Sequence, residues 1–355
     1  MNDNPLAVGQ REKSGAVTFE KYEYQYHWAL CRVIDEHSKS NDYALFMEYH
    51  EDVVLSDSLD KQKAKFEFNQ IKNIGSPKYN IPNLTKRTKS KNSVLGKLIL
   101  SVNNKPYCHK ITTINLVASC GFHIDQIDNA LKLEIISVCD LSPKSIKDIK
   151  NALKKELGND LIPPNLKFVV PKFHIKGQQE YAIAKIAELV NELFPNSHCN
   201  SGNIYRILID ELHRKGIVFY DYTKWDDLLI QKALTSKKVE NTILTHTSLR
   251  QNDQLLEDLN QISIELGFNY LEKKSLKKII ERIHIERVGF PSALSIRIKK
   301  AITGELETIG ISFKSDIKKI IAEIENKLSR SFKEIIGSNL EVKASIIYEI
   351  LVSDI

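Results

Sequence analysis

Two short stretches of this chain carry side chains suited to phosphate chemistry: Glu48-Tyr-His-Glu-Asp52 and, eighteen residues further on, Gln70-Ile-Lys72. Both fall in runs of strand character, Tyr43 to Leu55 and Ala64 to Lys72, separated by the turn-like SDSLDKQ, and together they predict a hairpin. Side chains two apart on a strand share a face, which groups Gln70 with Lys72 and, on the neighbouring strand, Glu48 with His50 and Asp52. A carboxylate, an oxygen-bearing amide and a lysine then meet. Phosphodiester hydrolysis draws on that set: oxygen ligands suit hard Mg2+ or Mn2+, the metal activates water and offsets phosphate charge, and a lysine positions or polarises the nucleophile. A lysine beside an apolar strand is also costly to bury without an anionic neighbour. The same spacing fits a surface hairpin with incidental charges, because a strand ending in Q-x-K is a short motif. By alternation Glu51 points to the face opposite Asp52, which leaves Glu48 as the better same-face spare carboxylate.

The elements that must position these residues can be read around them. Phe19, Tyr22, Tyr26, Ala29, Leu30 and Val33 recur at helical spacing and predict an amphipathic helix over 17–37, with Gln25 either reaching the site or simply exposed. Tyr22, Tyr24, Tyr26 and Trp28 look like a stacking set, although helix packing explains most of them. Residues 75–92 are rich in Pro, Asn and Lys and predict a loop, in which Lys86, Arg87, Lys89 and Lys91 either hold DNA phosphates without regard to sequence or are plainly solvated. Helices are expected at 93–102, 143–157 and 177–194, and strands at 111–119, 131–138 and 165–171. That order gives a mixed α/β core rather than a continuous βαβ alternation. From residue 203 helices take over, at roughly 203–215, 223–235, 247–266, 275–285, 292–302, 315–336 and 340–352, with Gly267 as a C-cap and Ser315 as an N-cap. The expected domains are 1–235 and 240–355.

At 355 residues the chain exceeds the usual single-domain length, and 42% hydrophobic with 27% charged residues is ordinary for a folded protein. A net charge of +6 permits an anionic partner without identifying one. The five cysteines are scattered with no C-x-x-C pair, which fits free thiols in a reducing compartment. With no apolar run of signal-peptide or membrane-spanning length, a soluble cytoplasmic protein is expected. No G-x-x-x-x-G-K-[ST] loop occurs, so nucleotide chemistry would need a partner, and the ten histidines show no metal-ligand spacing.

A helix bearing Tyr22-x-Tyr24-Gln25-Tyr26, then Glu48-x-x-Glu51-Asp52-Val, then Phe68-x-Gln70-x-Lys72 resembles the N-terminal nuclease domain of the CD-NTase-associated effector nucleases of bacterial antiphage defence. The similarity extends more weakly through NLKFVVPKFHIKG and the Ile204 to Leu212 helix, covering roughly residues 12–220. The resemblance implies a PD-(D/E)XK, restriction-endonuclease-like α+β core that cuts double-stranded DNA with Mg2+, followed here by an all-helical domain. It also implies that Gln takes the place of the more usual acid. Carried over by position, Asp52 is the principal metal ligand, Gln70 the second and Lys72 the catalytic lysine, and Glu51 matches the family's acidic pair; beside them the strand reading offers Glu48 as a spare metal-binding carboxylate and the first helix offers Gln25 in support. The effector nucleases usually carry a C-terminal nucleotide-sensing SAVED domain built of βα units, a pattern almost absent from 240–355. Oligomerisation or docking, as on a HerA-type hexameric ATPase, is therefore the expectation for the helices. The competing expectation is an inactive DNA-binding scaffold in which the same residues are dispensable.

Overall fold

The computed structural model describes residues 12–352, apart from 40–41, 75–76, 88–90, 174–175, 196, 249–251, 289–290 and 310–315. Lys89, Ser315 and the His174–Ile175 pair of the NLKFVVPKFHIKG segment lie outside the described residues. The chain divides into two compact units, one formed by Met1–Lys185 with Leu208–Val239 and the other by Ile186–Ile207 with Glu240–Ile355.

The first unit begins with α1 (Ser14–His37), whose inward side chains include Tyr24, Tyr26, Trp28, Leu30, Val33 and Ile34. Phe19 and Tyr22, inward by spacing, are instead exposed, so the buried stretch starts at Tyr24. In chain order the strands are β1 (Ala44–Tyr49), β2 (Glu51–Ser56), β3 (Phe66–Lys72), β4 (Ile111–Ala118), β5 (Ile135–Ser137), β6 (Leu166–Val169), β7 (His198–Cys199), β8 (Ala233–Thr235) and β9 (Thr247–Ser248). Seven of them form one sheet in the order β5-β6-β4-β3-β2-β1-β8. Neighbours from β3 back through β1 to β8 are antiparallel, β3, β4 and β6 run parallel, and β5 closes the far edge antiparallel. A mixed sheet with helices is the α+β architecture expected of a restriction-endonuclease-like core.

The largest departure from expectation lies in the run Tyr43 to Leu55. It is not one strand but a hairpin, with Met47 paired to Val53 and Tyr49 to Glu51 across a turn at His50. Residues of high β propensity fill the whole run, so nothing in the alternation marks the reversal. The turn is made without glycine: Glu48 and His50 both take left-handed backbone, with φ of 48° and 65°. The 131–138 strand shrinks to β5, and a three-residue strand, β8, replaces the end of the helix expected at 223–235.

Between β3 and β4 the chain forms α2 (Ile81–Thr85) and α3 (Val94–Val102); α4 (Pro143–Leu157) follows β5. Here the local signals act as expected. Ser93 and Ser142 cap α3 and α4 through their side chains, Pro143 opens α4, and Gly158 ends it in left-handed conformation at φ 76°. Leu95, Leu98, Ile99 and Val102 of α3 and Ile149 and Leu153 of α4 pack with Phe46, Val54, Phe68, Ile114 and Phe168 of the sheet. Each such side chain contributes about 1.5–3 kcal/mol by burial, enough in sum to offset polar groups held at the sheet's end. The two helices are tied where the Glu156 carboxylate accepts from Ser93 N at 2.6 Å and Ser93 Oγ at 2.7 Å. Gly96 permits this approach, since a Cβ there would lie 2.2 Å from Glu156 Oε1. The tie matters because α3 carries Ser101 to the site.

In α5 (Gln178–Leu193) and α6 (Ser201–Gly216) the chain passes from one unit to the other; α7 (Trp225–Lys232) belongs to the first. α8 (Ser236–Thr245) likewise passes from the first unit to the second, which contains the β7–β9 pair, α9 (Asn252–Glu265), α10 (Tyr270–Val288), α11 (Ala293–Thr308), α12 (Ile317–Lys327), α13 (Arg330–Ile336) and α14 (Asn339–Val352). Gly267, at φ 74°, follows α9 as expected. The helix expected over 315–336 is two: α12 starts from an Asp316 cap, and Ser329 caps a new helix after Leu328. Leu255, Leu276, Ile280, Ile302, Ile324 and Ile346 are among the residues of their shared core. No helix among the described residues is long and apolar enough to cross a membrane.

Candidate active site

The site forms where β2 leaves its hairpin turn beside the end of β3. The last recorded pair is Val53 with Asn69, and one step further the ladder stops. There the Asp52 side chain takes over the role of backbone acceptor: its Oδ2 accepts from Ile71 N at 2.7 Å. The same oxygen lies 3.5 Å from Lys72 Nζ, with both side chains half-buried. From α1, Gln25 Nε2 donates to the Ile71 carbonyl at 3.4 Å. Asp52 and Gln25 thus fix both polar groups of the residue standing between Gln70 and Lys72.

Glu51 departs from its expected position. Simple alternation sends it to the opposite face, yet its Oε2 accepts from Gln70 Nε2 at 3.2 Å. Glu51 is the first residue of β2, next to the turn at His50, and its carboxylate lies in the site beside Gln70. Glu51 and Gln70 are each only 9% exposed, so their pairing removes two polar groups from water. Burial first, and then the charges of Asp52 and Glu48, push the Glu51 carboxyl up to about 7 against the opposite influence of Ser101 and Lys72. Glu48 sits at the exposed rim rather than sharing a strand with Asp52. Its carboxyl is held above the usual range by desolvation and by Asp52, against the pull of Lys232 and Lys72. His50, expected on the face of Asp52, is instead the exposed tip of the turn.

Two contributors escaped the sequence reading. Ser101 on α3 faces Glu51 and acts to lower its carboxyl, while its own hydroxyl donates to the Leu98 carbonyl at 2.8 Å. Lys232, only 1% exposed, is brought near Glu48 because β8 pairs Ala233 with Phe46; its ammonium donates to the Gly216 carbonyl at 3.3 Å and to that of Val218. Both depend on long-range pairing, which no local pattern announces. The basic loop is partly described: Lys86, Arg87 and Lys91 are exposed.

Gln70 Oε1 and Gln25 Oε1 are buried with no hydrogen-bond partner. Buried acceptors without donors are uncommon and costly, and a cation satisfies such oxygens. Crowded carboxylates that raise one another point the same way. Among the described residues no three His, Cys, Asp or Glu side chains are already grouped to hold a metal ion. The donor set on offer is therefore carboxylate plus amide plus water, which fits Mg2+, an ion that keeps several of its waters.

The structure thus brings Asp52, Gln70, Lys72, Glu51 and Gln25 to one place, with Glu48 at its edge. All five cysteines are free. No curated protein and no solved structure matches the chain. A family model described as "Cap4, dsDNA endonuclease domain" does match, over residues 13–216, a span that includes α1, the hairpin and β3. Since that covers more than half of the 355 residues, the chain belongs to the Cap4 double-stranded-DNA endonuclease family.

Proposed function

We propose that the protein is a DNA endonuclease of antiphage defence that hydrolyses phosphodiester bonds of double-stranded DNA with Mg2+, or Mn2+, at the Asp52–Gln70–Lys72 site. The observation that carries this reading is the buried, unpartnered Gln70 Oε1 beside mutually repelling carboxylates. Asp52, Gln70 and Glu48 are the residues that would hold the ion, and Glu51 and Gln25 support them. A bound divalent ion would supply an acidified water and offset charge on the scissile phosphate. Lys72 orients the attacking water and stabilises charge developing on the phosphate oxygens. Asp52 fixes Lys72 by ion pairing and the Ile71 amide by hydrogen bonding, so the lysine approaches the phosphate from a set direction. The attacking water releases a proton to solvent as its oxygen bonds to phosphorus, the bond from phosphorus to the leaving sugar oxygen breaks, and that oxygen takes a proton from solvent. Gln25 buttresses the peptide carrying Lys72 from the α1 side.

Around that chemistry, the helical unit is read as an oligomerisation and docking module, with an NTPase of the HerA type as the partner restraining or releasing the nuclease. Support for the oligomer is limited to helices with long apolar stripes; support for the ATPase is family resemblance. The test is cleavage of plasmid DNA in Mg2+ and in EDTA, by wild type, Asp52→Ala and Lys72→Ala, alone and with a neighbouring NTPase. Metal-dependent cutting lost in both variants is the expected result; cutting that survives either substitution would contradict the assignment. A clean monomer by light scattering would remove the oligomer from the account.

A further inference from the structure

Left-handed backbone at residues other than glycine is rare and costs on the order of 1–3 kcal/mol at each position. Among the described residues it occurs at Glu48, His50 and Asn104, with φ of 48°, 65° and 58°. The first two make the turn between the site's carboxylates. The third precedes Lys105 and Tyr107, and the Tyr107 ring lies 5.1 Å from that of His50. The strain thus gathers in two turns that touch each other at one rim of the site.

The rim is rigidly backed. A row of rings leads out from the core: Phe68 stacks on Tyr107 at 5.7 Å, Tyr107 meets His50 at 5.1 Å, and His50 meets Tyr49 at 4.4 Å. The Tyr107 hydroxyl is anchored on the Ser101 carbonyl at 3.3 Å. His50 lies between Tyr107 and Tyr49, exposed, and its ring makes no hydrogen bond to a described residue. With Tyr49 and Tyr107 flanking it, the imidazole has its nitrogen edge to offer, one donor and one acceptor when neutral. Lys105 and Asp221 are the charged groups within electrostatic reach, and Lys105 is exposed.

The imidazole gives the turn ring contacts with Tyr49 and Tyr107 that asparagine or glycine would lack, and those contacts hold its exposed nitrogen edge toward whatever approaches the rim. The rim begins two residues from Asp52, where the scissile phosphate has to sit. We propose that the His50 tip, backed by Tyr107 and flanked by Lys105, is a positioning wedge that enters the groove edge of duplex DNA beside the scissile phosphate. His50 meets base-edge or sugar atoms there, and Lys105 meets a neighbouring phosphate. The proposal rests on the nuclease reading for the identity of its ligand.

The test is binding of a short fluorescent duplex by the full chain in EDTA, where no cutting occurs, across a range of salt. Asparagine accepts left-handed backbone, so His50→Asn keeps the turn and removes the imidazole. It should bind roughly ten-fold more weakly with an unchanged salt slope. Lys105→Ala should lower the salt slope by about one. Tyr107→Leu, which removes the backing ring, should weaken binding in the manner of His50→Asn. Equal affinity of wild type and His50→Asn at every salt concentration overturns the wedge. Asp52→Ala separates the two readings. If that variant still cuts DNA while His50→Asn still weakens binding, the catalytic assignment fails and the wedge stands.

Discussion

The hairpin end of the sheet and the helical unit treat buried charge in opposite ways. In the helical unit Arg287 and Glu349, both buried, pair with each other, and Arg287 also donates to the Ser295 carbonyl at 2.8 Å. Left-handed backbone among that unit's described residues falls on Gly267 and Gly337. At the hairpin three carboxylates share one neighbourhood, an amide oxygen is buried without a donor, and glutamate and histidine occupy left-handed positions. One region meets its buried charge with an opposite charge, even though Arg287 Nε is itself a buried donor without a hydrogen-bond partner. The other leaves its polar groups waiting for a cation and a phosphate. Local frustration of this kind persists only where the surrounding packing holds it, here α3, α4 and the ring row from Phe68.

This contrast can be broken at several points. The largest effect is expected at the site: Lys72→Ala should lower cleavage by about a thousand-fold or more while the protein keeps its thermal transition, as measured by single-turnover plasmid assays beside calorimetry. Cleavage within a few-fold of wild type would remove Lys72 from the mechanism. In the helical unit the balance reverses. Arg287→Met leaves Glu349 buried with Lys299 as its remaining cation, and should cost about 3–5 kcal/mol in denaturant unfolding. A loss under about 1 kcal/mol would mean that the pair is not the keystone of that core.

Glu51 sharpens the comparison through pH. Its folded carboxyl titrates near 7 against an ordinary 4.5, so folding takes up a proton between those values. The stability it contributes is complete below about pH 4.5 and lost as pH rises through 7. Metal-free Glu51→Gln should therefore be more stable than wild type at pH 8, by on the order of 2–3 kcal/mol, and nearly equal to it at pH 5. Saturating Mg2+ should narrow the pH 8 difference by stabilising the wild type. Equal melting at both pH values would show that the carboxylate is not strained. The smallest effect is expected in the basic loop, where Lys86→Glu with Arg87→Glu should weaken duplex binding at low salt and converge with wild type as salt rises. Unchanged binding in a low-salt titration would make those cations merely solvated.

What could be read from the sequence followed from how local each signal is. The limits of α4 are written in Ser142, Pro143 and Gly158, and the expectation met the structure residue for residue. Asp52, Gln70 and Lys72 can be singled out because residue type and spacing survive an error in the strands around them, and the structure sets Asp52 against Lys72 and the Ile71 amide. The turn at His50 was missed because it uses neither glycine nor an Asn-Gly pair, and the run around it has strand propensity throughout. Missing that reversal also misplaced Glu48, which lies on β1 and not on the strand of Asp52. Ser101 and Lys232 were unreadable for a different reason. Each arrives through packing or pairing with residues far away in the chain, and neither carries a local mark.

Substitution at Gln70 tests most directly whether its unpartnered side-chain oxygen is a ligand position. In plasmid cleavage at saturating Mg2+, Gln70→Glu supplies an oxygen at the same reach and should remain active, whereas Gln70→Leu keeps the volume, removes the oxygen and should be inactive although folded. Wild-type cutting by Gln70→Leu would contradict the account.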